Sequence, residues 1–494
     1  MNALPDSFRK SLEEAIGRDA ADVAFSSFDA PASVSVRLNP FKTSPLLEDA
    51  AGHFGSPAAV VPWSRHGRVL GQRPDFTLDP LFHSGAYYVQ DSSSMFVGEV
   101  FRKMLREVRE RKPGQLRVLD LCAAPGGKST DLLASLREEC GDDFLLVSNE
   151  VMSARVSVLA DNLALWGDPC AAVTNADPSA FSALNGFFDI IVADVPCSGE
   201  GMFRKDPRAL AQWSEDAVSL CQLRQRRIVA DVWPALAPEG VLIYSTCTFN
   251  RQENDVNVLW IAENLGAEPS SPDFSFEGVI RTMTGFLLVP GLVPGEGQFC
   301  AALVKDDGSR PGSRPSDCLF PECRPSDRRF PECRPSGHHS SDRQSSGRRR
   351  QDTSGRRLSD RVAPLFSIPV RADSKGDAVV AVPQTVASAV DTLSRCVRTI
   401  RSGCLAGTLK GDTLVPDADL ALSIALSPGA FPQVDLERSA ALSFLHRDNP
   451  VLGDAPRGHL VVRYGGLPLG FVKNLGGRCN NLHPQGRRIR MDIK

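Results

Sequence analysis

The chain has 494 residues, which at about 150 residues per domain leaves room for roughly three domains, each with its own core. Hydrophobic residues make up 42% and charged residues 23%, with no apolar run near the ~18 to 20 residues of a membrane span, which argues against a membrane protein. The 56 basic and 59 acidic residues give a net charge of −3, so bulk attraction to nucleic acid is excluded and any such partner must be held by a local patch.

The opening MNALPDSFRKSLEEAIG carries acids and no apolar segment followed by a small-residue cleavage site. No secretory signal is read, and a cytoplasmic location is expected. The 13 cysteines, an odd number with no CxxC pair, are expected as free thiols. Residues 1–105 combine an amphipathic helix, a strand-like ASVSVRLNP and a Gly/Pro-punctuated stretch ending in YYVQDSSSMF. They read as a small α+β module.

From about Arg117 to Lys305, apolar β-branched runs alternate with helical patterns, which predicts a parallel sheet with crossover helices. The predicted strands are RVLDLC, FLLVSNE, AAVTNAD, DIIVADV and GVLIYSTC, closed by FLLVPG and QFCAALVK as an antiparallel pair. Together they make a Rossmann-like α/β sheet of seven strands over about Leu116–Lys305, within a unit spanning 106–305. A helix is predicted over Asp216–Trp233, ended by Pro234.

Asp306 to Val362 holds 13 Arg, 9 acids, 11 Ser and 6 Pro, for a local charge of +4, and almost no large apolar residue. It cannot build a core and is expected to be a disordered linker. Within it RPSDCLFPEC (Arg314–Cys323) is followed by RPSDRRFPEC and RPSG, a decaying tandem repeat. Cys318, Cys323, Cys333, His338 and His339 suggest zinc, but spacings of five and ten match no compact knuckle, so no metal is expected. The rest, 363–494, resumes with IPV and AVVAVP, a helix predicted around Val386–Arg401, and a Gly-rich end. Ala455–Lys494 holds eight bases against one acid, Asp492. It is the basic patch concealed by the net charge.

The chemistry begins where RVLDLC runs into AAPGGKST. Gly126 and Gly127 allow backbone amides to approach a ligand, and Lys128 to Thr130 open a helix whose N-terminus favours a carboxylate or phosphate. Such turns are common, and this one alone leaves a packing turn open. Glu150 strengthens the ligand reading, because it ends the next strand, where a doubly wound fold places an acid for ribose hydroxyls. Asp177 ends the third predicted strand and Asp194 the fourth, so consecutive strands deliver residues to one edge. Cys140, Cys170, Cys221 and Cys300 read as packing residues. Cys197 in ADVPCSGEGMFRKDP and Cys247 in YSTCTFNRQEND differ, lying just beyond apolar strands among small polar residues, where a thiolate could attack an electrophilic carbon.

LDLCAAPGGKST, DVPCSGEGMFRKDP and YSTCTFNRQEND resemble the cofactor loop, Pro-Cys motif and Thr-Cys motif of the Nol/Nop/Sun (Fmu) family of S-adenosylmethionine-dependent RNA cytosine-5 methyltransferases. SVRLNP (Ser35–Pro40) and GAYYVQDSSSM (Gly85–Met95) resemble it upstream. IRSGCLAGTLKGD (Ile400–Asp412) and LGFVKNLGGRCNNLHPQGRRIR (Leu469–Arg490) resemble the C-terminal region of the RsmF type, with Phe471 where that type has Trp. The resemblance implies that Cys122, Ala123, Ala124, Pro125, Gly126, Gly127 and Lys128 wrap the methionine part of S-adenosyl-L-methionine. It further implies that Glu150 binds the ribose, Asp177 lies beside the adenine and Asp194 stands near both cofactor and base. Cys247 would be the nucleophile and Cys197 the product-releasing cysteine. An RNA-binding N-terminal module, a PUA-like C-terminal end and a monomer acting on small-subunit (16S) ribosomal RNA follow from the same source. Transfer RNA is the nearest alternative substrate, and a non-catalytic assembly factor the alternative of another class. Thr246-Cys247 separates this motif set from DNA methyltransferases, which use the Pro-Cys cysteine.

Overall fold

A computed structural model describes residues 4–307, 358–411 and 413–493. The repeat with Cys318, Cys323, Cys333, His338 and His339, and most of the expected linker, lie outside the described residues. Two helices, Asp6–Ile16 and Arg18–Ser27, precede an antiparallel sheet of β1 (Val34–Leu38), β2 (Ala58–Val61), β3 (Ser64–Leu70) and β4 (Tyr87–Val89), ordered β2-β3-β1-β4. The helix Met95–Arg111 connects it to the central sheet, burying Phe96, Val100, Phe101, Met104 and Leu105 at helical spacing.

The central strands are β5 (Leu116–Asp120), β6 (Phe144–Asn149), β7 (Ala171–Thr174), β8 (Phe188–Asp194) and β9 (Leu236–Thr246). They are followed by β10 (Ala267–Ser270), β11 (Ile280–Arg281), β12 (Phe286–Leu288) and β13 (Gln298–Lys305). β5 through β9 pair in parallel, while β13 runs antiparallel to both β9 and β12. Helices cover the sheet, so β6 is buried at every position, which explains its unbroken apolar run. The helix Glu215–Val232 stops one residue short of the prediction, and Pro234 lies in the following turn.

The seven expected strands are all present, but the sheet has ten. After β14 (Val370–Lys375) and β15 (Ala378–Pro383), β16 (Thr399–Ser402) crosses to the central sheet and pairs antiparallel with β7. The sheet order is therefore β11-β12-β13-β9-β8-β5-β6-β7-β16, with β10 beside β13. The helix expected over Val386–Arg401 is corrected accordingly: it covers Ala387–Cys396. The β-branched Val397, Thr399 and Ile400 suit an extended edge better than another helical turn.

β14 and β15 form a second sheet with β17 (Cys404–Lys410) and β18 (Thr413–Pro416). The last sheet contains β19 (Gln433–Asp435), β20 (Gly458–Tyr464), β21 (Leu467–Asn474) and β22 (Cys479–Asn481). Phe471 is buried there, edge-on to Phe431 at 4.8 Å. No helix among the described residues is long and apolar enough to cross a membrane.

Candidate active site

The carboxyl ends of β5, β6, β8 and β9 meet at one edge of the sheet. Beyond β5 the loop from Leu121 turns into the helix Gly127–Cys140 through Gly126, whose φ of 112° lies in the left-handed region that glycine tolerates. A side chain at Gly126 would meet Leu159 at 3.2 Å, and one at Gly127 would meet Tyr88 at 3.2 Å. The backbone demands glycine at 126, and at 127 a side chain would press on Tyr88. The loop is pinned from outside: Asn162 Nδ2 donates to the Pro125 carbonyl at 2.8 Å, and Arg155 Nη2 to that of Ala124 at 2.5 Å. The helix start carries no side-chain cap, so its first N–H groups are available to an anion.

Several residues without an assigned role build this cradle. Arg37 on β1 reaches out of its own sheet. Its Nε donates to Gln90 Oε1 at 2.8 Å, and its Nη2 donates to Thr130 Oγ1 at 2.5 Å and the Gly127 carbonyl at 3.2 Å. Asp120, ending β5, is fully buried; its Oδ2 accepts from Ser129 Oγ at 2.6 Å while its Oδ1 has no partner. Burial pushes its carboxyl up to about 7, against the Ser129 hydrogen bond. Burial also pushes the Cys122 thiol up, with the nearby Asp120 charge adding to it.

Glu150 is buried beyond β6; Oε1 accepts from the Met152 amide at 2.8 Å, and Arg155 Nη1 lies 3.3 Å from Oε2. Asp177 does not end a strand, because β7 stops at Thr174. Its side chain is 49% exposed, and Oδ1 caps the short helix Pro178–Ala183 by accepting from the Ser179 amide and hydroxyl.

Cys197 and Cys247 lie on the loops after the parallel neighbours β8 and β9, and their sulfurs are 3.1 Å apart. Both reach a volume no larger than one pyrimidine ring. The hydrogen bond from Cys247's side, then burial, push the Cys197 thiol well above its ordinary range, with Glu253 and Asp194 adding to it. Asp194 accepts from Lys128 Nζ and Ser245 Oγ, both at 2.8 Å, and from Gln298 Nε2 at 3.1 Å. Burial works against the Lys128 ammonium, but Asp194 holds it above its ordinary value, and Cys247 contributes in the same sense.

Two buried acids fix the cysteine loops. Glu253 Oε2 accepts from the Ser198 amide at 3.0 Å and Gln225 Nε2 at 2.6 Å, and Oε1 from Asn250 Nδ2 at 2.8 Å. Glu200 accepts from the Phe249 amide at 2.7 Å and Trp213 Nε1 at 3.0 Å. Both acids stand within the cysteine motifs, but charged residues there look like solvated loop, and only the fold reveals their burial. Phe8 packs edge-on to Phe203 at 5.1 Å and Phe28 to Phe249 at 6.4 Å, so the N-terminal helices buttress both loops.

Among Ala455–Lys494, Arg457, Lys473, Arg478, Arg488 and Arg490 are exposed. Arg463 pairs with Asp435 at 2.5 Å, and Arg487 with Asp161 at 3.0 Å and Asp419 at 2.8 Å. The patch is thus smaller than the count of bases suggested. Among the described residues no group of three or more His, Cys, Asp or Glu could hold a metal ion.

The family model described as 16S rRNA methyltransferase RsmB/F matches residues 109–302, that of the N-terminal domain of 16S rRNA methyltransferase RsmF residues 4–92, and that of the methyltransferase RsmF PUA domain residues 431–489. The ribosomal RNA small subunit methyltransferase F of Pectobacterium atrosepticum is 36% identical over 298 residues, covering 58% of this chain and 59% of that protein. Its counterpart from Escherichia fergusonii is 34% identical over 322 residues, covering 61% and 63%. The chain thus spans about three fifths of the length of the curated relatives it matches. The crystal structure of a methyltransferase homolog protein from Pyrococcus horikoshii superposes with a TM-score of 0.50 at 25% identity, covering 61% of this chain and all of that one. Matched over its N-terminal, central and C-terminal parts, the chain belongs to the RsmF type of the Sun-family RsmB/F methyltransferases.

Proposed function

We propose that this protein forms 5-methylcytosine in small-subunit (16S) ribosomal RNA through a covalent bond between Cys247 and carbon 6 of the target base. S-adenosyl-L-methionine is the methyl donor, and when bound it supplies an electrophilic methyl group. The residues present fit it: the uncapped start of the helix Gly127–Cys140 and Lys128 suit its carboxylate, and the buried Glu150 suits ribose hydroxyls. Asp177, exposed and capping a turn, is the candidate on the adenine side.

The observation that carries the reading is the 3.1 Å separation of the two sulfurs beside the Lys128–Asp194 pair. Carbon 5 of cytosine is a poor nucleophile until a thiolate adds at carbon 6. Cys197 stands 3.1 Å from the attacking sulfur, and the Lys128 ammonium lies close by, held by Asp194. Addition moves electron density toward ring nitrogen 3. Asp194, held by Lys128 Nζ at 2.8 Å, is the carboxyl group that donates a proton or hydrogen bond there. The carbon 5 proton leaves before the Cys247 bond breaks, and Cys197 is the group beside the same ring that assists. The base is out of its stack during the reaction, at a cost of a few kcal/mol, and the exposed C-terminal arginines hold flanking phosphates.

Denaturing gel electrophoresis with substrate RNA and S-adenosylmethionine tests the assignment. Cys247→Ala abolishes both methylation and any protein–RNA adduct, whereas Cys197→Ala accumulates a denaturant-resistant adduct. An adduct in Cys247→Ala and none in Cys197→Ala reverses the roles and overturns the mechanism.

A further inference from the structure

Asn175, the residue after β7, belongs to none of the motifs above. Its side-chain Nδ2 donates to the Glu150 carbonyl at 2.7 Å and the Val151 carbonyl at 3.0 Å, and its Oδ1 accepts from Ser153 Oγ at 2.9 Å. These three groups define the turn from β6 into the helix Ser153–Trp166, whose start has no side-chain cap of its own. Only a primary amide offers two donors and an acceptor in so small a group.

Asn175 is itself held from the far side. β16 pairs Thr399 with Thr174, Arg401 with Val173 and Ser402 with Ala172. The Asn175 amide continues that pairing by donating to the Arg398 carbonyl at 3.0 Å, and Arg398 Nη1 lies 3.4 Å from Asn175 Oδ1. Without β16, β7 would be the sheet's last strand and Asn175 the first residue to fray from it. The contacts thus run unbroken from the part of the chain after residue 357, through Asn175, to the peptide units on either side of Val151.

We infer that Asn175 is a positioning residue for Glu150, locked by β16, so that chain after residue 357 shapes the cofactor site. This rests on the reading of Glu150 as the ribose-binding acid. The carboxylate points as its backbone directs, and Asn175 holds the two carbonyls that fix that backbone.

The test is calorimetry of the full chain with S-adenosylhomocysteine, alongside hydrogen exchange at the Met152 amide and steady-state kinetics. Glu150→Ala weakens binding by about ten- to a hundredfold, as expected for a charge-assisted pair of hydrogen bonds. Asn175→Ala weakens it by about tenfold, the cost of two neutral hydrogen bonds. KM for S-adenosylmethionine rises with it, while kcat at saturating cofactor and KM for RNA stay unchanged, and Met152 exchange accelerates. A merely structural loss would lower kcat and both affinities together. Wild-type affinity in Asn175→Ala, with Glu150→Ala weakened, overturns the inference. Wild-type affinity in Glu150→Ala overturns the ribose reading beneath it. Should Asn175→Ala fail to fold, Asn175→Asp keeps the acceptor for Ser153 and the pairing with β16 while removing both donors, and carries the same expectation and refutation.

Discussion

Asp120→Asn is expected to change stability in a way that depends on pH. Asp120 is fully buried at the end of β5, with one oxygen bonded to Ser129 and the other without a partner, and its carboxyl is pushed up to about 7 from 3.8. Between those values the unfolded chain releases a proton that the folded chain keeps. The native state then binds more protons, so stability falls as pH rises through this window. Each pH unit costs about 1.4 kcal/mol, and about three units sum to a destabilisation on the order of 4 kcal/mol at pH 8 that is absent near pH 4. Asn keeps the shape and the acceptor for Ser129 and cannot ionise. Thermal unfolding of wild type and variant at pH 5 and pH 8 reads the difference: the variant gains on wild type at the higher pH. An equal offset at both pH values refutes the argument, because a constant offset reports packing and no proton.

Arg37→Met removes three hydrogen-bond donations and leaves Asp131, 3.8 Å away and buried, without this partner. Asp131 keeps Arg102 at 3.4 Å, so urea unfolding is expected to show a loss of about 1 to 3 kcal/mol, the cost of leaving buried acceptors without their donor. Replacing Arg478, Arg488 and Arg490 together by Gln weakens RNA binding and lowers the slope of log affinity against log salt by up to about three, read by filter binding over a salt series. Arg487→Gln acts differently: its guanidinium bridges Asp161 and Asp419, so it lowers the melting temperature while the salt slope is retained.

The strands around the site were legible because their residues are buried on both faces and produce continuous apolar runs such as FLLVSN and FDIIVAD. The closeness of Cys197 and Cys247 was legible too, since a loop after each of two neighbouring parallel strands opens on the same edge. β16 was not. Four residues at an edge, following a helix, carry too little period to be separated from that helix, and pairing with a strand more than 200 residues earlier leaves no local mark. Arg37, Glu200 and Glu253 stood inside recognised motifs, yet a charged side chain looks solvated until the fold shows it buried and bonded. Asp177 was misplaced in one respect only: the run that precedes it stops as a strand at Thr174, and the acid caps the next turn through its own side chain.

The pairing of β7 with β16 also bears on how the protein comes into being. A ribosome delivers β5 to β13 long before Thr399, so the nascent sheet carries a bare strand edge, with free N–H and C=O groups along Ala171–Thr174, for the whole interval in which residues 306–398 are made. Residues 308–357 lengthen that interval. A chain released early would keep a sticky margin ready to pair with its neighbours, so the last hundred residues act as a shield for the first three hundred.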